Sequence, residues 1–86
     1  MRALLIDDEP LARSIIRNYC DKIPSIEILG ECENGFEAVK MIDELKPDLI
    51  FLDVQMPKLN GFEVLELTQH DPKVIFTTAF DEYAVK

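Results

Sequence analysis

The sequence predicts an α/β fold: a doubly wound parallel sheet with helices on both faces. Three observations carry this. Short apolar runs alternate with amphipathic stretches of helical period along the whole chain. Two of the runs, 3–6 and 49–52, contain no polar residue, as in strands covered on both faces. Breaks at Pro24, Asn34-Gly35 and Lys46-Pro47 separate successive elements.

The elements follow in order. Residues 3–6 form the first strand. Pro10 suits the first turn of a helix, in which Leu11, Ala12, Ile15, Ile16, Tyr19 and Cys20 recur at helical spacing. Arg13, Arg17 and Asn18 fall on the opposite side. Pro24 follows the end of this helix. Residues 26–30 partly alternate, which suits a strand near a sheet edge. After the Asn34-Gly35 turn, Ala38, Val39, Ile42 and Leu45 mark a second helix over 36–45, stopped by Lys46-Pro47. Residues 49–52 are the third strand. Asn60 caps a third helix running through Phe62, Val64, Leu65 and Leu67. Residues 74–76 are a fourth strand ending at Thr77 and Thr78, and residues 81–86 read as the start of another helix. A βαβαβαβ order of this kind requires a parallel sheet, and right-handed crossovers limit its topologies.

Composition bounds the function. At 86 residues the chain is long enough for one small domain, and no repeat, low-complexity segment or linker divides it. A net charge of −8 argues against direct nucleic-acid binding by this segment and is compatible with a cation site. No apolar run approaches the roughly 20 residues of a membrane span. The N-terminal apolar stretch is too short for a signal peptide and leads at once into carboxylates, so a cytoplasmic protein is expected. Cys20 and Cys32 lack metal-type spacing and are read as buried, reduced thiols. His70, the only histidine, stands in a polar stretch and is read as a solvated loop residue.

The acidic residues carry the chemistry. Asp7 and Asp8 end the first strand, and Asp53 ends the third. In open α/β sheets, ligands bind beyond the carboxyl ends of the strands where the strand order reverses. In the strand order 2-1-3-4 the first and third strands are neighbours, roughly 5 Å apart, so three carboxylates share one crevice. Like charges that close oppose ionisation, and a divalent cation relieves them. Oxygen-only ligands favour Mg2+ or Mn2+ over Zn2+. A carboxylate beside such an ion is poised to attack phosphorus and form an aspartyl-phosphate. Thr77 and Thr78 offer hydroxyls on the same rim. Taken singly, each acidic cluster is also compatible with a helix cap or a solvated strand end. Both clusters and the threonines on one βα scaffold read as a site.

These residues resemble a known family. LLIDDEP, LIFLDVQMPKLNGFEVL and VIFTTAF look like the receiver domain of two-component response regulators, a flavodoxin-like (CheY-like) fold, in the family's order and over the whole chain. The resemblance implies that Asp53 is the phosphoacceptor and that Asp8 ligates Mg2+ directly. It makes Asp7 the acidic partner that acts through water. Gln55 falls where a backbone carbonyl completes the metal shell, so its side chain carries no requirement. Thr78, before Ala79, matches the switch hydroxyl that contacts phosphate. Pro57 and Gly61 match the residues that shape the loop and start the next helix. A sensor histidine kinase is the implied phosphoryl donor. The ending TTAFDEYAVK is most similar to LytTR-type regulators, whose receivers precede a DNA-binding domain; Phe80 and Tyr83 are core aromatics that also signal in that subgroup.

The family pattern continues past what this sequence holds. A full receiver has a fifth strand and helix, with a phosphate-pairing lysine and an aromatic switch residue on that strand. Lys73 and Lys86 do not match the lysine. Residues 1–86 are therefore expected to be a truncated receiver domain that binds Mg2+ weakly and is phosphorylated poorly. The first helix, without its usual neighbour, is expected to leave apolar surface uncovered, and the fourth strand, at an exposed edge, is expected to drive self-association by strand pairing or exchange across a two-fold axis. Two other readings stand beside the signalling switch. An aspartate-nucleophile phosphatase needs a second aspartate two residues after the nucleophile, where Gln55 stands. A phosphorylation-independent dimerisation module would leave the acidic set unused.

Overall fold

The computed structural model describes residues 1–77. Within them the chain runs β1 (Arg2–Ile6), α1 (Pro10–Asp21), β2 (Glu27–Cys32), α2 (Gly35–Leu45), β3 (Leu49–Asp53), α3 (Gly61–Leu67) and β4 (Lys73–Thr77). All strand pairs are parallel, and the sheet order is β2-β1-β3-β4. The expected doubly wound order is therefore present. The helix expected over 81–86 lies outside the described residues, as do Phe80 and Tyr83.

Local chemistry sets the helix ends. Pro10 occupies the first turn of α1, where its missing N–H costs nothing. The Asn34 side chain caps α2 by accepting from the Glu37 amide at 2.8 Å, and Lys46, in the left-handed region at φ 48°, ends it. Asn60 and Glu63 form a reciprocal capping box at the start of α3, so the expected cap is present. Strand β2 runs to Cys32, two residues beyond the expected 26–30. Glu31 and Cys32 pair there with Leu5 and Ile6, and cross-strand pairing overrides the weak alternation of the sequence.

The main core lies between one sheet face and helices α2 and α3. Leu4, Ile6, Ile50 and Leu52 point into it from the strands, and Ala38, Ile42 and Val64 meet them from the helices. Met56 and Leu59, from the loop after β3, are buried in the same cluster. The alternate strand residues Ala3, Leu5 and Leu49 are buried too, toward the opposite face, where α1 crosses β1 and β2.

Helix α1 leaves apolar surface uncovered, as expected, and corrects only the placement of its arginines. Leu11 is 70% exposed and Tyr19 is 66% exposed, with Ile15 exposed between them. The apolar set is wider than the contact, so only part of it meets the sheet. Arg13 and Arg17 do not face away from the sheet. Both reach Glu31 of β2.

His70 is also corrected. It is partly buried; its ring Nε2 donates to the Pro47 carbonyl at 2.6 Å, and its amide donates to Asp43 Oδ1 at 3.0 Å. A polar sequence window concealed a structural link between the β3 and β4 entrances. Cys20 and Cys32 are buried and free, as expected. Burial pushes the Cys32 thiol up to about 12, which leaves it inert as a nucleophile.

Candidate metal and phosphoryl site

The register places the acidic residues together. Ile6 pairs with Leu52 and Asp53 pairs with Thr77, so Asp7, Asp53 and Thr77 lie at one level across three strand ends. Carboxylate oxygens of Asp7, Asp8 and Asp53 all lie within 4.8 Å of one another. The convergence expected from the sequence is present.

Each side chain is held by its own turn. The Asp7 Oδ1 accepts from the Glu9 amide at 2.9 Å, and the Asp53 Oδ1 accepts from the Gln55 amide at 3.1 Å. Both are Asx-type contacts that keep the carboxylate at the strand tip. Beyond Asp53, Lys58 adopts φ 72°, the Leu59 amide donates to Pro57 O, and the Gly61 amide donates to Val54 O. With Met56 and Leu59 anchored in the core, this loop is packed rather than loose.

The packing demands a residue with no side chain where α3 begins. A Cβ on Gly61 would lie 2.6 Å from the Asp53 carbonyl oxygen and 3.1 Å from Val54 Cα. Gly61 thus allows α3 to start directly against the backbone of Asp53.

The electrostatics are those of crowded carboxylates. Asp7 and Asp53 are only 5% and 6% exposed. Burial, then the charge of Asp7, raises Asp53 to about 7, against the Gln55 hydrogen bond. Burial first, and then the Asp8 charge, also raises Asp7, against the Glu9 amide. At such separations each charged pair costs on the order of 3 kcal/mol at an effective dielectric of about 20. Three full charges share this volume only at a cost, which either protonation of Asp53 or a counter-charge relieves. The donor set is carboxylate alone, with no imidazole or thiolate in the cluster, and it fits a hard divalent cation.

Among the other site residues, the side chain of Gln55 is exposed, which suits a position used through its backbone. Thr78 lies outside the described residues. Thr77 closes β4 beside Asp53, and its Oγ1 is buried with no hydrogen-bond partner among the described residues.

Sequence reasoning missed the support around the site. Arg13 Nη1 donates to the Asp7 carbonyl at 2.7 Å and its Nε donates to Glu31 Oε1 at 2.9 Å. Arg17 Nε donates to Glu31 Oε2 at 2.7 Å, and these guanidinium bonds, Arg17 foremost, hold the Glu31 carboxyl below its ordinary range. The available signal was two arginines four residues apart on a helix beside an acidic strand.

Comparison with known proteins agrees with this geometry. The chain is 44% identical over its whole length to the transcriptional regulatory protein BtsR of Escherichia coli (strain K12), and the match covers 37% of that protein. It thus spans just over a third of the curated relatives it matches. The response regulator domain of Thermotoga maritima CheB superposes with a TM-score of 0.84 at 36% identity, over 94% of this chain and 62% of that one. The response regulatory domain of protein mrkE from Klebsiella pneumoniae gives a TM-score of 0.83 at 31% identity, over 99% and 72%. The family model for the response regulator receiver domain matches residues 3–86, and the chain belongs to that family.

Proposed function

We propose that this receiver domain accepts a phosphoryl group on Asp53. The convergence of the Asp7, Asp8 and Asp53 carboxylates within 4.8 Å is the observation that carries the reading. A carboxylate oxygen of Asp53 bonds to phosphorus as the P–N bond of a phosphohistidine donor breaks. The bonding electrons leave with the imidazole, and the donor is a sensor histidine kinase. Asp8, Asp53 and the Gln55 backbone carbonyl would hold Mg2+ directly, with Asp7 acting through water. When bound, that ion supplies the positive charge that offsets the phosphoryl oxygens. Asp7 and Asp8 set the charge of the pocket, and the packed loop from Val54 to Gly61 fixes the direction of Asp53. Thr78 supplies the hydroxyl that responds to the phosphoryl group.

The output is conformational rather than catalytic. Gln55 has no titratable group, so the acid/base step of an aspartate-nucleophile phosphatase has no residue at that position. The named relatives are transcriptional regulatory proteins, which supports a receiver of LytTR type that controls transcription through another domain in the cytoplasm. On this reading residues 1–86 belong to one receiver domain. They bind Mg2+ weakly and associate through β4, whose Ile75 and Phe76 are exposed.

The test has two parts. Mg2+ titrated into the 86-residue chain is expected to bind, and D8N is expected to abolish binding. In a protein that joins this segment to a lysine-bearing fifth strand, acetyl phosphate with Mg2+ is expected to add one phosphoryl group. Peptide mass mapping should place it on Asp53, and D53N should remove it. Modification that persists in D53N overturns the assignment.

A further inference from the structure

We propose that Arg13 is a positioning residue for the acidic pocket. This inference rests on the reading that Asp7, Asp8 and Asp53 form an Mg2+ site.

Arg13 reaches the site from the second turn of α1, and its side chain is only 14% exposed. Its guanidinium ties three elements together. Nη1 donates to the Asp7 carbonyl at 2.7 Å, at the exit of β1. Nε donates to Glu31 on β2 at 2.9 Å, and Arg17 holds the other oxygen of that carboxylate at 2.7 Å. Glu31 stands opposite Leu5 in the sheet, and the Asp7 amide donates to the neighbouring Cys32 carbonyl at 3.0 Å. The anchor for Arg13 is therefore the sheet itself.

The contact acts on Asp8 through the peptide bond. The Asp7 carbonyl and the Asp8 amide belong to one planar unit, so fixing the oxygen fixes the direction in which Asp8 leaves the strand. The Glu9 amide fixes the Asp7 carboxylate from the other side. Between these two hydrogen bonds the Asp7–Asp8 turn has little freedom. Repulsion among the three carboxylates pushes the turn outward, and a charge-assisted hydrogen bond from a fixed guanidinium opposes it. Arg13 touches none of the carboxylate oxygens that converge. It holds the backbone that aims them.

The test is a Mg2+ titration of the 86-residue chain followed by calorimetry, with amide hydrogen exchange of Glu9 measured in metal-free buffer. Arg13→Met is expected to weaken Mg2+ binding about tenfold, the scale of losing a group that orients a metal ligand. Glu9 exchange is expected to accelerate. Arg2→Met is the control for general loss of stability. Arg2 also donates to backbone carbonyls, those of Leu45 and Lys46, but at the opposite end of the sheet. It is expected to leave both Mg2+ affinity and Glu9 exchange unchanged. A folded Arg13→Met chain whose Kd for Mg2+ stays within twofold of wild type, while D8N loses binding, overturns the inference and leaves the site intact. Where Arg13→Met does not fold, Glu31→Ala carries the test, because it releases the guanidinium without removing it. A threefold or greater loss is expected there, and an unchanged Kd is again decisive against the proposal. A wild-type chain that binds no Mg2+ overturns the site reading itself and this inference with it.

Discussion

Asp53 makes the metal-free fold sensitive to pH. Its carboxyl rises from 3.8 to about 7, through burial first and then the charge of Asp7. The folded state therefore favours the protonated form. That stabilisation is complete below the ordinary value and is lost as pH rises through about 7, and the raised Asp7 carboxyl acts in the same direction. In Mg2+-free buffer, Tm is expected to be higher at pH 5 than at pH 8 by roughly 5 °C or more. D53N should remove much of this difference and raise Tm at pH 8, and saturating Mg2+ should narrow it in the wild type. Identical pH profiles for wild type and D53N would show that burial does not impose the cost. Thr77 adds a second residue-scale test. Its hydroxyl is buried without a partner among the described residues, a state that costs about 1–3 kcal/mol. Thr77→Val keeps the branched shape and removes the oxygen, so urea denaturation should show it neutral to about 1 kcal/mol more stable. A clear loss of stability would mean that the hydroxyl is satisfied. The acidic residues were legible in the sequence because each ends an apolar run, and a charge in that place needs a reason. Arg13 was not legible. On a helical wheel it sits with the polar residues, and only the position of β2 shows that Glu31 meets it.

At the scale of the element, most boundaries followed from chemistry that acts within a few residues. Pro10, Asn34, Asn60 and Lys46-Pro47 start or stop helices by local rules, and the structure places helix ends at each of them. The loop after β3 obeys no such rule. Val54, Met56 and Leu59 are buried although no period announces them, because the loop folds down onto the core between α2 and α3. Gly61 belongs to this loop's geometry. No glycine among the described residues has positive φ, so the demand at Gly61 is close approach and not backbone freedom. Gly61→Ala sets a Cβ against the Asp53 carbonyl, which neither strand nor helix can move aside cheaply. The expected cost is about 1–3 kcal/mol in urea denaturation. Gly30→Ala is the comparison. Its Cβ would meet the flexible Met41 Cε at 2.9 Å, and a rotamer change relieves it. The cost there should be smaller; equal costs would mean that the start of α3 yields as easily as a methionine tip.

At the scale of the molecule, parallel topology was legible because βα alternation permits few arrangements. Both open surfaces, the edge of β4 and part of α1, were expected as well. Strand β4 has one strand neighbour among the described residues, β3, and its Ile75 and Phe76 are each 47% exposed. An edge strand that exposes large apolar side chains tends to pair with another chain. The exposed part of α1, around Leu11, Ile15 and Tyr19, adds the uncovered apolar surface expected of the first helix. Against association stands the net charge of −8, which makes two copies repel. The two forces respond differently to salt. At about 0.15 M the Debye length is roughly 8 Å, so repulsion between copies is screened while strand pairing and apolar contact persist. The 86-residue chain is therefore expected to associate at micromolar concentration, more strongly as salt increases. Ile75→Lys should return it to a monomer, because a lysine on the edge must be desolvated before strands pair. Light scattering across a salt series reads both effects. A wild-type chain that stays monomeric at high salt, or an Ile75→Lys chain that associates equally well, would mean that β4 is not the contact.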